Sequence, residues 1–514
     1  MMAGRAQPVA KPSIVLAITA CVGLATIMQA LDTTIANVSL PYIQGSVSAS
    51  SDQIEWVLTS YIVAAAIMTP TTGYLAGRFG RKRLFLASIA GFTVASMLCG
   101  VAHSLFEIVF FRLVQGAFGA ALVPLSQSVL IDTFPHERQG SAMAYWGMAV
   151  MLGPILGPVL GGWLTENYSW RWVFFINAPI GLLAFVGMTI FLEETSRTET
   201  HLDWFGFAML SVAIGALQIL LDRGEQLDWL GSSEIAIEAL VSVGALTLFL
   251  VQILTVDAPF VKPALFRDRN FVAGSMVVFI VGVTFFAPLA LLPLYLEELM
   301  GYPIMTAGIV MAPRGIGTMI AMMLVGPLVG RIDTRLLLAV GLGLTAWALG
   351  DMSLWTPDVS AWTVAVNGVI QGGGLGFLFV PLSATALATL PLQLRTEGAG
   401  IYNLARNIGS SIGISIVSAL LVTNTQVNHA EIGQYVTRFN RQFEMPQIAH
   451  FWSPLTASGR AMLDAAVTRQ AEIIAFSDDF KLMMLVALAA VPLLLVVRRT
   501  ARDPGRDGSV HAGV

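Results

Sequence analysis

Residues 115–126 read Gln115-Gly116-Ala-Phe-Gly119-Ala-Ala-Leu-Val123-Pro124-Leu125-Ser126, and residues 371–383 read Gln371-Gly372-Gly-Gly-Leu-Gly-Phe-Leu-Phe-Val380-Pro381-Leu382-Ser383. The likeness extends in both directions. Pro135, Arg138 and Tyr145 return as Pro391, Arg395 and Tyr402, and Gly73 with Gly77-Arg78 returns as Gly326 with Gly330-Arg331. The offsets lie between 253 and 257 residues in a chain of 514. A period near half the chain length means two copies of one unit.

Composition says what kind of unit this is. Hydrophobic residues make up 56 % of the chain and charged residues 12 %, about half the roughly 25 % charge of a soluble domain. Twenty-eight basic and 32 acidic residues could not cover a water-facing surface of this size. A cytosolic enzyme, a disordered chain and a disulfide-stapled module are thereby excluded, and the bilayer is the expected solvent. Net charge is −4, and no basic field exists to hold a nucleic acid. Cys21 and Cys99 lie in apolar runs, the six histidines form no HExxH, and no Gly-Lys dipeptide is present. No metal site, cofactor site or ATP-binding loop is therefore expected. Nor is there a clustered nucleophile or acid set of the kind a membrane enzyme needs, and no ATP-driven motor is expected in this chain.

About 20 apolar residues cross the hydrocarbon. Fourteen segments meet that need, at about 14–40, 54–76, 84–102, 105–131, 141–165, 171–192, 204–222, 233–255, 271–297, 304–330, 335–355, 360–390, 397–424 and 479–497. The first follows Arg5 and Lys11 and is too long for a cleaved leader, so it reads as a retained span. Connections expected inside and the two termini carry eighteen Lys/Arg, including Arg498, Arg499, Arg502 and Arg506, whereas the short outer connections carry only Arg171 and Arg223. The positive-inside rule then puts both termini in the cytoplasm. The repeat pairs spans 2–5 with spans 10–13. The expected fold is an all-α membrane protein of two six-helix bundles, residues 1–200 and 259–514, with two further spans inserted at 201–258. A long outer loop is expected at 425–478, a polar stretch with its own helical periodicity around Ala461–Ile474.

Few polar groups remain within the spans. Span 1 carries Gln29, Asp32, Thr33 and Asn37, and an intramembrane acid usually marks an ion or proton path. Asp32 is expected roughly 13 Å below the outer end of its span, and Arg112 roughly 10 Å below the outer end of span 4. Opposite charges at matching depth could neutralise each other if those spans are neighbours. Gln115, Gly116 and Gly119 share a face with Arg112. Asp32 is read as the one well-buried acid, against three intramembrane arginines, Arg112, Arg314 and Arg406. If Arg314 and Arg406 face a cavity, its field favours anionic or weakly acidic amphiphiles; if not, they bond backbone or glutamine groups.

Two glycine motifs complete the reading. Gly73-Tyr-Leu-Ala-Gly77-Arg78-Phe-Gly80-Arg81-Lys82-Arg83 makes a tight cationic turn between spans 2 and 3. Gly153-Pro154, Gly157-Pro158 and Gly161-Gly162 lay a flat stripe on span 5 that admits another helix closely. The turn resembles the loop signature of the major facilitator superfamily, in which two such halves enclose the substrate site. That signature usually has Asp where this chain has Gly77, so the charge-assisted lock attributed to that Asp lacks its residue here. The stripe resembles the antiporter motif found in exporters of the superfamily.

Leu31-Asp-Thr-Thr-Ile-Ala-Asn37, Phe111-Arg-Leu-Val-Gln-Gly116, Trp172-Val-Phe-Phe-Ile-Asn177-Ala-Pro-Ile-Gly181, Leu221–Trp229 and Asn403-x2-Arg406-x2-Gly409 resemble the fourteen-span drug:proton antiporters of the EmrB/QacA type. The resemblance spans about residues 14–498. It implies export of hydrophobic or amphiphilic drugs from the cytoplasm across a bacterial inner membrane. It also implies hand-over to a periplasmic membrane-fusion adaptor (EmrA-like) and an outer-membrane channel (TolC-like), with Asp32 and Arg112 coupling protons. Gln29, Thr33, Asn37, Gln115, Asn177, Arg314, Gln371, Asn403 and Arg406 are the expected substrate-cavity residues. A proton-linked exporter of one metabolite, such as a siderophore or a lipid-like compound, is the alternative.

Overall fold

In the computed structural model, residues 12–195, 203–224, 226–437, 452 and 455–496 are described. They are helical almost throughout, with an isolated bridge between Val329 and Ile332. In chain order the main helices begin with α1 Pro12–Val47, α2 Trp56–Met68, α3 Thr72–Phe79, α4 Arg81–Val101, α5 Leu105–Gly119 and α6 Leu122–Thr133. α7 Gln139–Asn167, α8 Asn177–Phe191, α9 Trp204–Arg223 and α10 Ser233–Thr255 follow. The second half holds α11 Arg269–Leu294, α12 Ile304–Val325, α13 Thr334–Met352, α14 Ala361–Ala388, α15 Arg395–Tyr435 and α16 Ala457–Ala489.

Twelve helical stretches among the described residues are long and apolar enough to cross a membrane. The other two of the fourteen expected spans fall on less regular ground. The span expected at 54–76 is cut into α2, a 3-10 turn Thr69–Thr71, and α3. Pro70 cannot donate into an α-helical ladder, and the hydroxyls of Thr69, Thr71 and Thr72 donate back to the carbonyls of Ala65, Met68 and Thr69. The last span lies on α16, whose first half carries Arg460, Asp464, Arg469 and Glu472 and is too polar to be lipid-embedded. Within the stretch 425–478 the helical periodicity around Ala461–Ile474 lies on α16. α15 continues to Tyr435 and α16 starts at Ala457, so helix occupies much of it. Arg438, Arg441 and the terminal basic residues, including Arg5, Lys11 and Arg498 onward, lie outside the described residues.

The sequence repeat is visible as repeated close approaches of glycine to backbone. A methyl group on Gly116 would lie 2.4 Å from the Tyr61 carbonyl oxygen, and one on Gly372 would lie 1.9 Å from that of Arg314. Gly153 and Gly157 press on Ala30 and Thr34 of α1, and Gly409 and Gly413 press likewise on Phe279 and Val283 of α11. Gly161 continues the first stripe onto Ile35. Only glycine lets backbones come this near, which is why these positions recur.

The halves touch each other through the same logic. Gly73 of α3 sits under the Cα and Cβ of Glu397 on α15, and Gly326, just after α12, sits under Ser141 and the Gly140 carbonyl on α7. Further along α7 and α12, Gly147 meets Met322 and Gly315 meets Ile155. Trp146 of α7 stacks on Phe379 of α14 at 5.4 Å. One end of the bundle, the end carrying Gly80, is thus joined across the middle.

Candidate functional site

Inside the first half, α1, α5 and α8 bring their few polar residues to one point. Asp32 is fully buried, and its Oδ2 accepts from Arg112 Nη1 at 2.6 Å. Its Oδ1 accepts from Gln115 Nε2 and from Asn177 Nδ2, each at 2.8 Å. Arg112 is held in turn by Gln115 Oε1 at 2.9 Å and by the Val57 carbonyl at 3.1 Å, and its guanidinium lies 4.3 Å from the Tyr61 ring centroid. Ser96 accepts a second bond from Asn177 Nδ2 at 2.9 Å and donates to the Phe174 carbonyl. Three donors on one carboxylate describe an acceptor-only, ionised group. A buried pair with this geometry repays the desolvation of both ions, whereas a lone member would not.

This arrangement separates residues that the sequence grouped together. Gln115 and Asn177 belong to the ion-pair cluster rather than to an open cavity. Asn403 donates to Gln127 Oε1 at 2.6 Å and so bridges α15 to α6. Gln29 reaches the Tyr61 hydroxyl at 3.3 Å, Thr33 bonds its own helix at the Ala30 carbonyl, and Asn37 is exposed.

The second half is different. Arg314 is 4 % exposed, its Nη2 donates to the Phe285 carbonyl at 2.8 Å, and its Nε and Nη1 have no hydrogen-bond partner. The guanidinium lies 4.1 Å from the Phe285 ring centroid. Gln371, wholly buried, has neither amide atom bonded. Arg406 is half-buried, touches Asn407 Oδ1 at 3.3 Å and leaves Nε without a partner. No acid reaches these arginines among the described residues.

Asp32 is also not the one buried acid. Asp479 is 1 % exposed and Glu397 7 %. Glu397 is explained by the backbone N–H of Lys262, which donates to it at 2.7 Å, and by the Lys262 ammonium at 3.8 Å. Asp479 lies within α16's buried stripe, between Phe476 and Met483, at a position that span-counting assigns to a helix end.

At the Gly80 end, Gly80 itself turns with φ +91°, and a Cβ there would strike the Glu194 carboxylate. Arg78 is exposed. Arg81 ion-pairs with Asp132 at the end of α6 and donates to the Leu392 carbonyl at 3.2 Å. The other Asp132 oxygen accepts from Arg395 Nη1 at 2.5 Å. A single carboxylate therefore ties a first-half arginine to a second-half one. Thr396 to Ser128, at 3.3 Å, adds a further link. With Gly77 in place of an acid, the carboxylate that meets Arg81 comes from a different helix, which a loop signature cannot reveal. Pro154 lies on the α7 stripe, and the side chain of Pro158 is outside the description.

Two parallel-built halves, a shared glycine-packed interface and a charge cluster within one half define a membrane transporter. The chain belongs to the Major Facilitator Superfamily, whose family model matches residues 22–414. It is a multi-pass membrane protein.

Among its relatives, multidrug export protein EmrB of Escherichia coli (strain K12) is 36 % identical over 503 residues, covering 96 % of this chain and 97 % of that one. Fatty acid resistance protein FarB of Neisseria gonorrhoeae is 34 % identical over 485 residues, covering 94 % and 96 %. A solved structure of the proton:xylose symporter XylE superposes with a TM-score of 0.62 at 14 % identity, covering 95 % of this chain and 97 % of that one, a likeness of fold.

Proposed function

We propose that this chain is a proton-coupled antiporter that exports hydrophobic or amphiphilic drugs from the cytoplasm by alternating access. The observation that carries this reading is the sealed Asp32–Arg112 cluster beside the glycine-packed α1–α7 contact. Protonating Asp32 would remove the ion pair and two charge-assisted hydrogen bonds at the very place where α1 meets its neighbours. A proton thereby changes the packing balance of α1, which is what coupling requires. Export of relatives' drugs, as the EmrB name states for that protein, supports the substrate class.

The working units in this reading are residues 1–200 and 259–514, with 201–258 inserted between them, and the two helices at Trp56–Phe79 and α16 completing fourteen spans. The Gly80 end is cytoplasmic, as are both termini, and the membrane is a bacterial inner membrane. Arg81, Asp132 and Arg395 then hold the cytoplasmic side shut while substrate leaves outward. One proton crossing about 150 mV supplies roughly 3.5 kcal/mol, enough to sustain a few-hundredfold gradient of a neutral substrate. The helical ends around 425–478 are the surface offered to an adaptor of the EmrA type, and through it to a TolC-type channel.

Arg314, Gln371 and Arg406 hold unbonded donors with no acid beside them among the described residues, and in this reading they turn toward cargo when the halves part, which suits an anionic or weakly acidic amphiphile. Export of cholate and of tetraphenylphosphonium from proteoliposomes under an imposed pH gradient tests the whole reading. Cholate flux driven by the gradient and lost in Asp32→Asn is expected. Exclusive transport of the cation would end the anion preference, and gradient-independent flux would end the coupling.

A further inference from the structure

We infer that Asp479 is a second proton-binding site, carrying its proton in the conformation described. The inference builds on the proton-coupled reading above and concerns a residue outside the Asp32 cluster.

Asp479 sits in the buried stripe of α16 formed by Ala475, Phe476, Phe480, Met483 and Ala487. Phe476 and Phe480 belong to one apolar cluster with Leu292, Leu296, Leu349, Met352 and Val417, drawn from α11, the turn after it, α13 and α15. The residue is 1 % exposed, and neither carboxyl oxygen has a hydrogen-bond partner. Contrast Asp32, equally buried, with three donors around it.

No cation compensates it. Over the packed stretch α11 and α15 present no charged side chain. α13 presents Asp351, whose Oδ2 is already occupied by Asn367 Nδ2 at 2.8 Å and Trp355 Nε1 at 3.1 Å. The turn Tyr295–Leu299 presents Tyr295, Glu297 and Glu298, and α16 itself carries Asp478 and Lys481, both exposed. Arg469, nearly three turns away, donates to the Leu299 carbonyl. An ionised carboxylate without partners in an apolar cluster is far too costly to persist, so the group neutralises by taking up a proton.

A neutral acid held between packed helices is released when those helices part, because water then restores the charged form. α16 packs on α11, α13 and α15, the second-half helices that alternating access must move. Each cycle would therefore load and unload two carboxyls, Asp32 and Asp479, in place of one.

Infrared spectroscopy of the full-length protein in lipid nanodiscs at neutral pH tests the proton directly. The expected result is a protonated-carboxyl band in the wild type that weakens in Asp479→Asn and is retained in Asp32→Asn. An unchanged band in Asp479→Asn would overturn the proposal. Should the amide variant not insert, Asp479→Leu serves, since an apolar replacement of a lone buried acid is neutral or stabilising. In proteoliposomes under a pH gradient alone, Asp479→Asn is expected to reduce the steady accumulation ratio of cholate to about its square root. A ratio equal to wild type would remove Asp479 from coupling. Absence of gradient-driven export of both cholate and tetraphenylphosphonium by the wild type would instead sink the proposed function, while the infrared band still decides whether Asp479 holds a proton.

Discussion

Gly116 and Gly372 occupy matching places, each pressed against the carbonyl of a neighbouring helix, yet opposite chemistry has grown around them. Beside Gly116, Arg112 has an acid at 2.6 Å, and its remaining bonds go to Gln115 and the backbone. Beside Gly372, Arg314 projects from the helix that answers Tyr61's, and Gln371 stands where Gln115 stands, but the α11 residue that matches Asp32 in register is Val281, since Phe279 and Val283 answer to Ala30 and Thr34. One half neutralises its buried arginine internally, and the other leaves it without an acid, bonded through Nη2 to the Phe285 carbonyl and lying over that ring. Shared backbone packing therefore carries divergent side chains, an ion pair in one half and an arginine without an acid in the other.

The hardest test of that contrast is Asp32→Asn, which keeps the shape of the cluster and removes its charge. Uphill export is expected to be abolished while insertion survives. pH-dependent export retained in vesicles would take Asp32 out of coupling. Next in size is Arg112→Met, which strands a buried carboxylate and should lower stability by about 3–5 kcal/mol. Thermal unfolding in detergent would show it, and Arg314→Met, with no acid to strand, should be neutral or stabilising by the same measurement. Equal losses for both variants would erase the distinction between the halves.

Smaller effects sharpen the common frame. Gly116→Ala and Gly372→Ala each drive a methyl into a carbonyl oxygen, and overpacking of this kind costs about 1–3 kcal/mol. Both should fall in melting temperature, Gly372→Ala at least as far, since its approach is the nearer at 1.9 Å against 2.4 Å. Asp132→Asn weakens both arginine links at the Gly80 end. It is expected to raise cysteine-labelling of residues beneath that end by a few-fold without lowering thermal stability by more than about 1 kcal/mol, the range of partly exposed ion pairs. Unchanged labelling would mean that glycine packing, not charge, keeps that end shut.

Much of this was legible in the chain. A repeat at 253–257 residues, too few charges for water, and glycines at i, i+4 and i+8 lead to paired helical bundles because backbone approach and hydrocarbon solvation obey local rules. Asp32 and Arg112 could be matched by depth, since rise per residue is constant along a helix. The broken helix at Thr69–Thr71 was harder to see, because Pro70 and the threonine back-bonds act on a stretch that hydropathy treats as uniform. Asp479 was hidden because a helix end looks solvated until its neighbours are known.

Sequence alone determined that this chain lives in a bilayer and that it is built twice over, and it singled out Asp32, Arg112, Arg314 and Arg406 as charges within the spans while missing Asp479. Tertiary structure decided which of those charges are satisfied. Partnership is a matter of which helices meet, and that is why Arg112 has an acid, Arg314 has none, Asp132 serves both halves, and Asp479 is left alone among phenylalanines. Hydrophobicity reports the burial of a residue, but only three-dimensional adjacency supplies the donor that makes a buried charge tolerable.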